Sequence, residues 1–211
     1  MKTNRIVISL VAAGMVGFCA SATFADVMTY NGMGLKASVT LHYSGSPANN
    51  STISAGQVFL SYQGQSLTAY CVDILQYLGN GEVDEWSPSR LTGGNLAAYL
   101  FETHASSVTT GLAAAALQTA IWEVLYENPC NGYNPNSGVF SITNNSAVAS
   151  AAQALLAGLP GSYTAADDTI VLHSCKVQDM MVFDPTPVPE PATMALLAVG
   201  ALPLIRRSRR A

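Results

Sequence analysis

The stretch LAAAALQTAIWEVLY, residues 112–126, decides the fold, and it ends just before the helix-breaking pair Asn128-Pro129. Leu117, Ile121 and Leu125 recur every fourth residue, and this pattern predicts an apolar helix face. Gln118 and Trp122 lie one turn apart beside that face. The run of alanines at positions 113–116 leaves room for another element to approach closely. We therefore expect a half-buried helix that carries a polar amide next to an indole ring.

Strands are predicted on both sides of this helix. Residues 35–43 alternate apolar and polar side chains, which is typical of a strand with one buried face. Further strands are predicted at 57–62, 66–74, 169–174 and 177–183, a turn at 63–65, and two more helices at 94–104 and 146–156. Strands that flank a central group of helices indicate a single α+β domain.

The charges divide the chain into three unlike segments. Residues 26–187 carry only Lys36, Arg90 and Lys176 against twelve acidic residues, a net charge of −9. A segment of this size suits one domain. It has no basic stripe to neutralise phosphates, so nucleic acid is excluded as a partner. It also lacks metal-ligand spacing, a phosphate loop and a dinucleotide fingerprint, so we expect no metal and no cofactor.

Residues 1–25 are typical of a secretory signal peptide. Lys2 and Arg5 form a basic start, and an apolar stretch follows at residues 6–18. Thr23 and Ala25 suit positions −3 and −1 of the cleavage site. The apolar stretch is short for a membrane span. We therefore expect the protein to be exported through the inner membrane.

Three features follow one another in residues 188–211. Pro189-Glu190-Pro191 comes first, then mostly apolar residues, and then an arginine cluster that includes Arg206 and Arg207. The apolar part would span only ~21 Å as a helix, against a hydrocarbon core of ~30 Å. The arginines should stay in the cytoplasm. A plain C-terminal anchor explains the helix and the arginines, but it does not explain the Pro-Glu-Pro motif.

This order of features resembles the PEP-CTERM sorting signal of Gram-negative bacteria, which an exosortase recognises and cuts. The resemblance implies transient anchoring in the inner membrane and removal of the C-terminal segment. It implies a final location in the cell envelope, at the outer surface or in the extracellular matrix. Proteins of this kind are often tied to exopolysaccharide production.

The exported segment has three cysteines, an odd number. Cys130 lies in a predicted loop and Cys175 follows a predicted strand, both in polar surroundings. We expect a disulfide between them, which would close a loop of ~45 residues and stabilise the fold by ~4 kcal/mol. Cys71 lies inside an apolar strand, where a buried, inert thiol is the ordinary interpretation.

Two short motifs give Cys71 another interpretation. YCVD at residues 70–73 and LQTAIWE at residues 117–123 resemble the paired motifs of bacterial thioester domains. These are adhesin modules in which a cysteine sulfur and a glutamine side-chain carbonyl form an internal thioester. The resemblance implies a thioester between Cys71 and Gln118 that attaches covalently to an amine-bearing surface or matrix molecule. Each bond reacts once, so the protein would not be an enzyme.

The side-chain directions of the two motifs suggest roles for the neighbouring residues. Trp122, one turn after Gln118, is the candidate shield against water, with Tyr70 as its neighbour on the strand. Alternation along a strand puts Tyr70 on the face opposite Cys71, where it would only support the core. Asp73 would share the face of Cys71 and raise the pKa of the thiol.

Two other functions compete with the thioester. In one, the protein is a structural protein that binds exopolysaccharide or matrix without a covalent bond, and Cys71 and Gln118 are core residues. In the other, Cys71 is the nucleophile of a hydrolase with His104 as its base. No hydrolase motif surrounds Cys71, and a capping role for His104 at the end of a helix is the simpler interpretation.

Overall fold

Strands both precede and follow a central group of helices along residues 26–185, the part of the chain that the computed structural model describes. The strands are β1 (Asp26–His42), β2 (Ser51–Tyr62), β3 (Gln65–Cys71), β4 (Gly81–Trp86), β5 (Ser141–Thr143), β6 (Thr169–His173) and β7 (Met180–Phe183). The helices are α1 (Gly94–His104), α2 (Gly111–Tyr126) and α3 (Ser146–Leu156). The predicted signal peptide and sorting segment lie outside the described residues. Within residues 26–185, no helix is both long enough and apolar enough to cross a membrane.

The predicted mixture of helices and strands is confirmed, and the three helices lie where the sequence pattern puts them. The turn at 63–65 also forms: Gln63 and Gly64 both have positive φ, 49° and 75°, as a tight two-residue hairpin requires. Two predicted strands are shorter in the structure, because β3 ends at Cys71 and β7 begins at Met180. β4 and the short β5 are not predicted.

The strands form one antiparallel sheet that closes on itself. β2 pairs with β3, β3 with β7, β7 with β6, β6 with β4, and β4 with the start of β1. The rest of β1 pairs with β2, so these six strands form a ring, and β5 extends the sheet from the end of β1. The last two strands of the chain thus lie between β3 and β4.

β1 closes the ring because it changes partner along its length. Met28 and the two residues before it pair with β4, whereas the strand from Thr29 onward pairs with β2. Register shifts between Tyr30 and Gly32 and between Met33 and Lys36 bend the strand. Gly32 has a φ of 123°, a backbone conformation that residues other than glycine rarely adopt.

α2 is the central helix of the fold, and it is not half-buried as the sequence suggests. Every residue from Ala114 to Val124 is buried. The reason is that α2 has neighbours on all sides: β1 and β2 on one, α1 and α3 on the other. The alanines permit this close approach, and Gly93 permits another, since a Cβ there would lie 2.0 Å from the Val124 carbonyl oxygen.

Two apolar clusters meet at α2. The first fills the ring and includes Cys71 and, from the helix, Ala115 and Trp122. The second lies between the ring and the helices and includes Tyr70 and Leu117. The helix therefore presents Trp122 to the interior of the ring, and this orientation creates the site.

Candidate functional site

Cys71 is the last residue of β3 and only 3% of its surface is exposed. Its thiol donates a hydrogen bond to the backbone oxygen of Asp73, with an Sγ–O distance of 2.8 Å. The next residue, Val72, donates its N–H to the Asp179 carbonyl beside β7, at 2.9 Å. The thiol is thus fixed at the point where the strand ends.

Gln118 contacts Cys71 directly through hydrogen bonds, whereas the thioester that the paired motifs imply stays a prediction. Its side-chain oxygen accepts a hydrogen bond from the Cys71 backbone N–H at 2.9 Å. Its NH₂ group donates to the Cys71 backbone oxygen at 2.7 Å. This orientation of the carboxamide is the only one that matches both backbone groups, since an amide N–H cannot accept and a carbonyl cannot donate. These two hydrogen bonds therefore connect Cys71 and Gln118, which are 47 positions apart in the sequence.

The two hydrogen bonds complete the edge of β3. The pairing of β2 with β3 ends at Ala69, so β2 no longer reaches the N–H and C=O of Cys71. Buried backbone groups must find partners, and the Gln118 carboxamide supplies both. In the structure this contact is non-covalent, and Cys71 is a free thiol.

Trp122 lies beside these two residues, with 3% of its surface exposed. The indole lies inside the closed ring of strands, and its centre is 6.3 Å from the centre of the Phe140 side chain. The indole N–H is buried and forms no hydrogen bond with the described residues. It nevertheless acts on the nearby sulfur and lowers the pKa of Cys71. Trp122 is therefore a buried neighbour of the thiol at the wall of the site, and its role as a shield stays a prediction.

The thiol is held in its protonated form. Burial raises the pKa of Cys71 well above its ordinary value, and the charges of Asp73 and Asp179 raise it further. The hydrogen bond to the Asp73 backbone and the Trp122 indole oppose this rise without overcoming it. The charge of Asp73 raises the pKa as expected, but burial is the larger cause, and the hydrogen bond to the Asp73 backbone lowers the pKa by more than that charge raises it. The resting sulfur is therefore a poor nucleophile.

The segment that follows Cys71 is held by Tyr126 at the end of α2. The Tyr126 hydroxyl donates to the Val72 carbonyl at 3.1 Å and accepts the Ile74 N–H at 3.2 Å. Sequence reasoning missed this role, because nothing in the spacing of Val72 and Tyr126 indicates that one hydroxyl serves both backbone groups. The signal available was only that Tyr126 lies two helical turns after Gln118, on nearly the same face.

A cavity of about 370 Å³ opens next to the Cys71–Gln118 contact. Cys71, Gln118 and Trp122 all line it. The remaining lining comes from β1, β2, the loop between them, the segment after β3 and the segment before β7. It consists of Met33, Leu41, Ser46, Ala48, Ile53, Ser54, Gly56, Val58, Ile74, Gln76, Tyr77, Leu78 and Gln178. None of these side chains is ionisable near neutral pH. The contact therefore lies at the wall of an uncharged, mostly apolar cavity.

Tyr70 does not shield this cavity. Its side chain lies on the opposite face of β3 in the second apolar cluster, 6.1 Å from the ring centre of Phe101. Alternation along the strand places it there, and its role as a support of the core stays a prediction. His104 is at the end of α1 and is not among the cavity residues, so the structure does not bring the hydrolase pair together at this cavity.

The structure does not form the expected disulfide between Cys130 and Cys175. Both thiols are free and exposed. Cys130 lies in a short 3₁₀ turn, Pro129–Asn131, after α2, where its N–H is capped by Asn128. Cys175 lies in the connection from β6 to β7, beside Glu82 and Asp84 of β4. Both cysteines are exposed, as expected for polar surroundings, but this shared feature does not indicate that they pair.

Two carboxylates at the end of α2 hold the loop that follows. Glu123 is fully buried; one oxygen accepts the Asn134 N–H at 2.6 Å and the other has no partner among the described residues. Burial raises the pKa of Glu123 to about 7, and the charge of Glu127 adds to this. Burial alone would also raise the pKa of Glu127, but N–H donors from Asn128, Phe140 and Val139 outweigh it and lower the pKa.

Comparison with known proteins identifies one segment of the chain. The family model described as the PEP-CTERM protein-sorting motif matches residues 187–210. The chain therefore carries the motif of proteins that are exported and processed by an exosortase, and this implies a location in the cell envelope or at the surface. No curated protein and no solved structure matches the chain. The resemblance to thioester domains thus has no support from these comparisons.

The first prediction concerns the hydrogen bonds of Gln118. In a Cys71→Ala background, where no covalent bond can form, Gln118→Met should lower the free energy of unfolding by about 2–5 kcal/mol, because two buried backbone groups lose their partners. Urea unfolding measures the difference from Cys71→Ala alone. A loss below about 1 kcal/mol would mean that the carboxamide does not complete the edge of β3.

The second prediction concerns Glu123. Its folded-state pKa of about 7 lies above the ordinary value of 4.5, so the folded protein keeps a proton that the unfolded chain releases. The contribution of this group to stability is therefore present below about pH 4.5 and is lost as the pH rises to about 7. Glu123→Gln should gain stability relative to wild type over this interval, measured by urea unfolding at about pH 5 and about pH 8.

Glu127→Gln is the matched control, since the pKa of Glu127 is lowered rather than raised. Its stabilising contribution is present at neutral pH and is lost on acidification. This variant should therefore cost more stability at about pH 8 than at about pH 4. If both variants showed the same pH dependence, the assignment of the two environments would be incorrect.

Proposed function

We propose that this protein is an exported surface or matrix protein in which Cys71 and Gln118 form an internal thioester. The bond would attach the protein covalently to an amine-bearing molecule outside the cell. One observation carries the proposal: the Gln118 carboxamide, which must react, forms hydrogen bonds with both the N–H and the C=O of Cys71, the residue that bears the thiol. The sorting motif supports the location, because it directs the chain to the cell envelope or surface.

Formation of the bond requires only these two side chains. The Cys71 sulfur, turned from the Asp73 oxygen about its Cα–Cβ bond, attacks the carboxamide carbon of Gln118. The C–N bond breaks, and ammonia leaves with the proton of the thiol. Negative charge that develops on the side-chain oxygen is stabilised by the Cys71 N–H, which already lies 2.9 Å from it. Holding the two groups together replaces a bimolecular encounter.

Exclusion of water supports a bond of this kind. Thioesters hydrolyse when water reaches the carbonyl, and Cys71, Gln118 and Trp122 are each no more than 3% exposed. Trp122 lines the cavity beside the contact, and its otherwise unpartnered indole lowers the pKa of the Cys71 thiol. The same residue would therefore slow hydrolysis and stabilise a sulfur that carries partial negative charge.

The second step transfers the acyl group. A neutral amine attacks the thioester carbonyl, a new amide forms on the side chain of residue 118, and the Cys71 thiol is released with a proton. Few amines of the chain itself compete, since residues 26–187 contain only Lys36 and Lys176. Neither lysine is among the cavity residues. The bond would therefore persist until an external amine enters.

Non-covalent binding of matrix or exopolysaccharide is the second candidate, and one observation favours it. Gln118 uses both its carbonyl and its NH₂ group in hydrogen bonds to the backbone, as a structural core glutamine does. In that case Cys71 is an inert buried thiol. The two candidates differ in covalent mass, which makes them separable.

The third prediction tests the thioester by intact mass. The exported, processed protein should be lighter than its sequence by one ammonia, and methylamine should convert this form to an adduct. Cys71→Ala and Gln118→Ala should each abolish both signals, because each removes one half of the bond. Cys130→Ala is the control and should leave both unchanged. Full sequence mass and no adduct in a folded protein would favour the non-covalent candidate.

The fourth prediction separates the two roles of Trp122. Trp122→Ala should let the thioester form but shorten its lifetime in water, since the cover is removed. Trp122→Phe keeps a ring but removes the N–H, so it should slow formation more than it shortens lifetime. Mass spectrometry over time after refolding measures both rates. Equal lifetimes in Trp122→Ala and wild type would rule out the cover.

A further inference from the structure

The cavity beside the Cys71–Gln118 contact has an uncharged, mostly apolar lining. We propose that it binds an uncharged, mainly apolar group, and that the amine which reacts with the thioester is carried on such a group. The second half of this proposal rests on the proposed function; the first half does not. Both follow from the lining of the cavity.

The size of the cavity suits a small ligand. About 370 Å³ lies within the range of small-molecule sites, and such sites occur at the mouths of closed strand rings. Leu41 and Val58 line the part that is closed to solvent, while Tyr77 and Leu78 are 69% and 37% exposed and line it from the segment after β3. Exposed apolar side chains next to an apolar cavity offer a continuous surface for a ligand that enters from outside.

The electrostatics of the cavity exclude charged groups. No Asp, Glu, Lys, Arg or His is among its lining residues. An ammonium or carboxylate that entered would lose its hydration without gaining a partner, at a high cost in free energy. The strong negative charge of the surrounding segment could attract cations to the surface, but the cavity itself has no group to hold one.

The lack of ionised side chains in the cavity lining also determines which kind of nucleophile can react there. A hydroxyl group needs a general base to attack a thioester, and none of the lining side chains can accept its proton near neutral pH. A neutral amine attacks without a base. Since an uncharged cavity favours the neutral form of a bound amine, an amine at one end of an apolar chain meets both requirements.

The cavity is tested first without covalent chemistry. The exported protein with Cys71→Ala and Trp86→Phe keeps Trp122 as its single tryptophan, and this residue lines the cavity. Titration with cyclohexanol should change the fluorescence of Trp122 in a saturable way, and sodium cyclohexanecarboxylate should bind about tenfold more weakly or worse. Absence of saturable binding to the folded protein would overturn the cavity assignment.

A pair of substitutions controls this measurement. Ser54 is exposed and lines the cavity, whereas Ser66, on the neighbouring strand β3, is exposed and does not. Ser54→Phe should weaken cyclohexanol binding about tenfold by filling space, and Ser66→Phe should leave it unchanged. Equal effects of the two would also overturn the assignment.

The acceptor class is tested on the thioester form with matched amines. Pentylamine and 1,5-diaminopentane have the same chain and differ in one ammonium group. Pentylamine should react about tenfold faster than either the diamine or methylamine, and its rate should rise with pH as the neutral amine becomes more abundant. Faster reaction of the diamine would show that surface charge, not the cavity, selects the acceptor.

The possible failures are distinguishable. If the protein has full sequence mass but binds cyclohexanol, the thioester is wrong and the apolar site stands. If the thioester forms but all three amines react at the same rate, the proposed function stands and the acceptor class is wrong.

Discussion

The hydrogen-bonded contact between the Gln118 carboxamide and the Cys71 backbone is the constraint on which the rest of the site depends. It joins the central helix to the end of β3 at the point where β2 turns away. The register of α2 against the sheet is fixed by this contact, since a shift of one residue would leave two buried backbone groups unpaired. With that register fixed, Trp122 points into the ring of strands and the cavity forms beside it.

Close packing around α2 is what allows a polar contact so deep in the protein. Ala114, Ala115 and Ala116 keep the helix surface small, and Gly93 brings the start of α1 against the Val124 carbonyl. These approaches exclude water from the helix. A buried amide is stable there only because the Cys71 backbone groups pair with its oxygen and its NH₂ group.

The sequence predicts the local elements well and their arrangement poorly. Periodicity locates α1, α2 and α3, because their apolar faces and end signals lie within each segment. Ring closure depends on β1, whose glycine-rich first half interrupts the alternation and hides a strand that changes partner. β4 is too polar to stand out as a strand. Its neighbour β6 comes much later in the chain, so no local pattern indicates the pairing.

The candidate site shows the same division between local and long-range information. Paired motifs identify Cys71 and Gln118 as neighbours, and alternation along the strand separates Tyr70 from them. Sequence position cannot show that Tyr126 binds the segment after β3, because that contact depends on how α2 crosses the sheet. Nor can composition pair cysteines: Cys130 and Cys175 share polar surroundings, but one lies in the turn after α2 and the other in the connection from β6 to β7.

The contact also bears on which nucleophile the proposed thioester would favour. Loss of ammonia removes the NH₂ group that donates to the Cys71 carbonyl at 2.7 Å, so the thioester state leaves a buried acceptor unpaired. Reaction with an amine returns an N–H to residue 118 and can restore that bond. Hydrolysis instead leaves a carboxylate that keeps the bond from the Cys71 N–H, but its second oxygen faces the Cys71 carbonyl without a proton to donate, and it carries a buried charge. The hydrogen bond that positions the carboxamide in the free protein therefore makes the amide product more stable than the hydrolysed product. The same bond, between the Gln118 side chain and the Cys71 backbone oxygen, also helps to fix the register of α2 against the sheet.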